Sequence, residues 1–69
     1  MQYNYNALRG KIREVFGTQE AFAAAIKMSN TTLTAKLQGR TDWKRADMER
    51  ALKALDIPVT DVGLYFFTH

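Results

Sequence analysis

The stretch that decides the fold is TQEAFAAAIKMSNTTLTAKLQG, Thr18 to Gly39. Its apolar residues keep helical spacing twice, with only Lys27-Met28-Ser29 between the two runs. In the earlier run Thr18 supplies an N-capping hydroxyl, and Phe22, Ala23 and Ile26 face inward, Ala23 being small enough to let another helix cross closely. In the later run Ser29 supplies the cap, Gly39 marks the end, and Leu33 and Leu37 lie within about 40° of each other on the helical projection. Two helices joined so tightly must cross steeply, which predicts a helix-turn-helix.

The later helix carries the functional argument. Opposite its leucines stand Thr31, Ala35 and Gln38, flanked by Thr34, with Ser29 and Asn30 at the N-terminal tip. These short or flat side chains offer donors, acceptors and a methyl group on a helix that fits the major groove of DNA. A helix turned only to solvent more often shows Glu and Lys pairs at i, i+4. Capping alone accounts for Ser29, but β-branched residues gain nothing on an exposed helical face, so Thr31, Thr32 and Thr34 point to recognition. The base-contact candidates are therefore Ser29, Asn30, Thr31, Thr34, Ala35 and Gln38.

Charge supports a polyanionic partner. The chain has a formal net charge of +3. From Lys27 to Arg45 five cations (Lys27, Lys36, Arg40, Lys44, Arg45) stand against Asp42 alone, while the remainder is slightly acidic. Gln19, at a helix start where free N–H groups favour phosphate, joins Lys36, Arg40, Lys44 and Arg45 as candidates for DNA-backbone contact. Lys36 borders the inward face and has snorkelling to solvent as its alternative.

Outward from this centre, the punctuation predicts a compact, all-α, five-helix fold with residues 1–69 forming one domain. Leu8, Ile12, Val15 and Phe16 form an apolar stripe on a first helix capped by Asn4 or Asn6 and ended by Gly17. Asp42 is the expected cap of a fourth helix whose apolar face is Met48, Ala51, Leu52 and Leu55, stopped by Ile57-Pro58, with Trp43 lying over the core as a staple. Thr60 is the expected cap of a short last helix from Asp61 to about Phe66, helped by the charge of Asp61. Residues 63–67 also read as a terminal strand. Leu64, Tyr65, Phe66 and Phe67 exceed what one short helix buries in so small a core, which assigns them to a dimer contact, with core capping by two or three of them as the alternative.

Composition narrows the class. The chain has 69 residues, enough for a single thin core, and no cysteine, which excludes disulfides and thiolate metal sites. The polar start, Met1 to Asn6, lacks the apolar stretch of a signal peptide, and the longest apolar run, Ala21 to Ile26, is far too short to span a bilayer. The expectation is a cytoplasmic protein with no membrane contact, no metal and no cofactor. His69 is the sole histidine, the acids are scattered, and no nucleophile has a base at useful spacing, so an enzyme is not expected.

From Thr18 to about Leu64 the sequence resembles the helix-turn-helix domain of phage Cro and repressor proteins, the lambda-repressor-like, XRE-type family. The matching residues are Thr18-Gln19-Glu20, Phe22-Ala23, Ile26, Met28-Ser29, Leu33, Leu37, Gly39 and Leu52 to Pro58. The resemblance implies a Cro-like transcriptional regulator of a lysogeny switch that binds operator DNA as a homodimer. It places Asn30, Thr31, Thr34 and Ala35 at base-contact positions and Gln19 and Arg40 at backbone-contact positions. Two residues depart from the pattern: Lys27 stands where the family often has Gly, and Lys36 where it is usually apolar. A second reading keeps the fold but turns it on protein: a small phage modulator that binds a partner repressor, with weak or no DNA binding of its own.

Overall fold

The computed structural model describes residues 5–67; Asn4, the rest of the start of the chain and His69 lie outside them. The described residues form α1 (Asn6–Phe16), α2 (Gln19–Ala25), α3 (Asn30–Leu37), α4 (Arg45–Ala54), a 3-10 turn (Val59–Asp61) and α5 (Val62–Phe66). No strand occurs among them, and residues 63–67 are helical apart from the closing Phe67. The architecture is thus all-α, with five helices and a radius of gyration of 10.8 Å. None of these helices is long and apolar enough to cross a membrane.

Leu8 and Ile12 of α1 are buried, and α1 packs on α2 and α5. Val15 belongs to the same stripe on paper but stays 46% exposed: Gly17, at φ 80°, turns the chain away one residue after the helix ends. Asn6 is the first helical residue rather than a cap, and the N-cap position belongs to Tyr5, whose side chain makes no capping bond to the helix. The core gathers Phe22, Ala23, Ile26, Leu33, Leu37, Ala51, Leu52 and Leu55 as the sequence spacing predicts, and adds Tyr5, Ile57 and Phe66.

Both caps of the helix pair form. The Ala21 amide donates to Thr18 Oγ1 at 3.1 Å, and the Thr32 amide to Ser29 Oγ at 3.1 Å. Each satisfies a donor that the helix itself cannot. Thr18→Ala is expected to cost about 1 kcal/mol in a urea melt. A cost near zero would mean that water replaces the hydroxyl without loss.

Helices α2, α3 and α4 end in the same way. The Met28 amide bonds Ala23 O and the Lys27 amide Ala24 O; Arg40 bonds Ala35 O and Gly39 bonds Lys36 O; Ile57 bonds Leu52 O and Asp56 bonds Lys53 O. This double bond pattern is the Schellman motif, and it requires a left-handed residue after the cap. Gly39 at φ 78° meets that demand freely, Asp56 at φ 55° with modest strain, and Lys27 at φ 58° at a cost of about 1 kcal/mol. The turn of the helix-turn-helix is therefore built on a residue poorly suited to it.

Two expected caps do not form. Helix α4 begins at Arg45, so its N-cap position falls on Lys44, and Asp47 in its first turn accepts from the Lys44 amide at 3.4 Å. Asp42 lies upstream of that turn and uses its carbonyl elsewhere. Pro58, not Thr60, precedes the 3-10 turn, because the chain leaving Pro58 coils at once and brings the Asp61 amide to its carbonyl at 2.9 Å. Trp43 does lie on the core, edge-on to Phe66 with ring centroids 4.9 Å apart.

Candidate functional site

The outer face of α3 is set by three supports. Leu33 and Leu37 bury its inner side, the Ser29 cap fixes its start, and Arg9 of α1 donates from Nη2 to Leu37 O at 2.8 Å at its end. A cation on the last carbonyls also suits the helix dipole. Asn30, Thr31 and Gln38 are exposed, and Thr34 and Ala35 are half-buried.

Gln19 joins α2 to this face. Its Nε2 donates to Asn30 Oδ1 at 2.9 Å and to Thr34 Oγ1 at 2.7 Å. Both bonds cross between helices and hold two of the polar side chains in one orientation. Asn30 keeps its amide donors, and Thr34 its hydroxyl proton, for an outside acceptor. Ser29 is used within the fold: besides its capping bond, its Oγ donates to Thr32 Oγ1 at 2.8 Å.

The expected backbone contacts divide. Arg40, Lys44 and Arg45 are exposed, and Arg45 Nε pairs with Glu49 Oε1 at 3.0 Å. Lys36 cannot join them, because only 7% of it is exposed. Its ammonium donates to Asp42 O at 2.7 Å, stands 3.3 Å from Asp47 Oδ2 and lies 5.9 Å from the centroid of a Trp43 ring. Asp47 also accepts from Arg50 Nη2 at 2.7 Å. The buried position beside Leu37 is thus filled by a charge whose partners come from outside α3.

The C-terminal aromatics separate as well. Phe66 is 1% exposed and belongs to the core, Tyr65 is half-buried, and Leu64 and Phe67 are exposed at 58% and 47%. Of the four, Phe66 is therefore no surface contact: the turn of α5 aims it between Trp43 and the other helices.

Counting charge along the chain misses two cations. Arg9 and Arg13 line a cleft of about 220 Å³ together with Thr18, Gln19 and Leu37. They sit far from α3 in sequence and reach it only through the α1·α2 packing. Their spacing of four residues on one side of α1 is the signal that marks them as neighbours.

Comparison with known proteins adds the last observations. The family described as "Protein of unknown function (DUF739)" matches residues 1–69. Among solved structures the chain is similar to the modulator of repression (MOR) of the temperate bacteriophage TP901-1 from Lactococcus lactis, with 39% identity, a TM-score of 0.84, and 97% of this chain and 90% of that one covered. No curated protein matches. These matches overturn the assignment to the Cro and repressor family. The helix pair, its caps and its leucines are features that different helix-turn-helix families share, so they do not separate one from another.

Proposed function

The chain belongs to the DUF739 family, and from that premise we propose that it regulates a phage repression switch by binding a repressor protein. The likeness to a modulator of repression carries this reading, because it holds along nearly the whole chain rather than over the helix pair alone. The state of the α3 face supports it. Ser29 is committed to its own helix, Lys36 is buried, and Asn30 and Thr34 have given acceptors to Gln19. What remains open to DNA is a smaller set of contacts than the sequence spacing predicts, without Ser29 Oγ and Lys36. Specific operators are commonly read by two subunits about one helical turn apart.

A second reading follows from the exposure of Asn30, Thr31 and Gln38 beside Arg40. Held by the repressor, α3 contacts DNA as part of the joint complex and alters which sequence that complex prefers.

Titration of labelled switch-region DNA tests both. The chain alone is expected to leave the DNA unshifted, and to change the shift produced by the repressor when the two are mixed. A changed site preference in the mixture supports the second reading. A sequence-specific shift by the chain alone, indifferent to the repressor, would overturn the proposal.

A further inference from the structure

On the side formed by α1, α2 and α4 lies an open groove of about 610 Å³, within the range of ligand-sized clefts. Its lining is Phe16, Ala25, Lys27, Arg50, Lys53 and Ala54. No residue of α3 contributes to it, so an occupant there leaves the exposed Thr31 and Gln38 uncovered. We infer that this groove is where the repressor partner docks, and that it receives an acidic amphipathic helix. The inference rests on the repressor-binding reading above and adds the surface and the chemistry of the contact.

Charge sets the sign of the occupant. The lining holds three cations and no carboxylate. The adjoining cleft, which shares Lys27 and Arg50, adds the exposed Lys44; its Lys36 and Asp47 pair with each other, and Asp47 also holds Arg50. Among the described residues neither Lys27 nor Lys53 is in an ion pair. A partner carrying carboxylates is thus attracted and oriented, and a basic one repelled.

The floor selects protein over nucleic acid. Phe16, Ala25 and Ala54 offer apolar surface between the cations. A phosphate backbone can use the rim but not the floor, whereas a helix with apolar side chains at i, i+3, i+4 uses both. Ala25 and Ala54 are small enough to let that helix approach closely. No strand among the described residues offers an edge on which an extended peptide could pair.

Lys27 is the independent sign. It occupies the left-handed position that Gly39 fills at the end of α3, and its side chain is exposed, so the fold gains no burial from it. Strain kept at a position that packs nothing fits a residue retained for contact. Lys27 lines both clefts.

The test uses the full chain, isotope-labelled, titrated with the repressor of the same switch and followed by amide chemical shifts. Changes are expected at Ala25, Lys27 and Arg50 to Ala54, with Thr31 to Gln38 little affected. Lys53→Glu is expected to melt like the wild type and bind at least ~10-fold more weakly. Lys27→Gly is expected to melt roughly 2 to 5 °C higher and still bind more weakly, a split that a purely structural role for Lys27 does not produce. Shifts confined to α3, or wild-type binding by Lys53→Glu, would overturn the groove while leaving repressor binding intact. Absence of any binding to the repressor overturns the repressor-binding reading and the groove with it. Duplex DNA that moves the groove amides and competes with the repressor for them would make the groove a phosphate-binding face and overturn the helix.

Discussion

Asp47→Ala is expected to destabilise the fold by about 3 to 5 kcal/mol, the range for leaving one member of a buried ion pair without its partner. The Lys36 side chain is 8% exposed and that of Asp47 12%, so the ammonium left behind cannot simply return to water. The carbonyl of Asp42 remains as its acceptor, but no negative charge does. The loss extends to α4, whose first turn gives up the bond from the Lys44 amide, and to Arg50, which gives up a 2.7 Å contact. A domain of this length has a total stability of about 3 to 10 kcal/mol, so much of the variant should be unfolded at room temperature.

Lys36→Met is the informative control. It removes the charge that needs compensation and fills the same space, while Asp47 keeps Arg50, which is half exposed and relieves it. Its cost is expected to stay below about 1.5 kcal/mol, since replacing a buried charge by an apolar residue of similar volume is often neutral or better. Urea unfolding followed by Trp43 fluorescence measures both variants, because the single tryptophan lies in the core beside Lys36. Equal and small costs would mean that water reaches the pair and the charge is not buried in effect.

Lys36 also illustrates where reading the sequence stops. Its angle on the α3 projection places it at the edge of the apolar side, and nothing within α3 tells whether the ammonium escapes to solvent. The answer depends on Asp42, Asp47 and Trp43, which reach it only after the chain has turned at Gly39 and started α4. Thr18 and Ser29 were legible as caps because the bond closes within three residues. Asp42 was misleading as a cap because the bond at the start of α4 runs from the Lys44 amide to Asp47, while Asp42 gives its carbonyl to the ammonium of Lys36 on another helix. On the candidate site, the exposed polar residues of α3 follow from periodicity. The Gln19 bonds that hold Asn30 and Thr34 require two helices in their final crossing. The groove draws Phe16, Ala25 and Lys53 from three helices, so no local pattern announces it.

Phe66→Ala should be nearly as damaging as Asp47→Ala, at about 3 to 5 kcal/mol, although Phe66 lies in the terminal aromatic run that reads as a surface contact. At 1% exposure its ring fills space between α1, α4 and Trp43, and truncation leaves a cavity that a rigid core closes only in part. Helix α5 has five residues, far fewer than an isolated helix needs, so its order depends on packing, to which Phe66 contributes its one fully buried ring and Val62 and Tyr65 partly buried side chains. Removing the ring should therefore release the whole segment after Pro58, seen as faster amide exchange at Leu64 and Tyr65 as well as a lower melting temperature. Leu64→Ala, at an exposed position of the same helix, should change stability by no more than about 0.5 kcal/mol. The contrast between two neighbouring apolar residues separates packing from surface. If Phe66→Ala unfolds with Leu64→Ala at the wild-type midpoint, the ring is not holding α5 to the core, and the closing turn of the fold rests on something other than this contact.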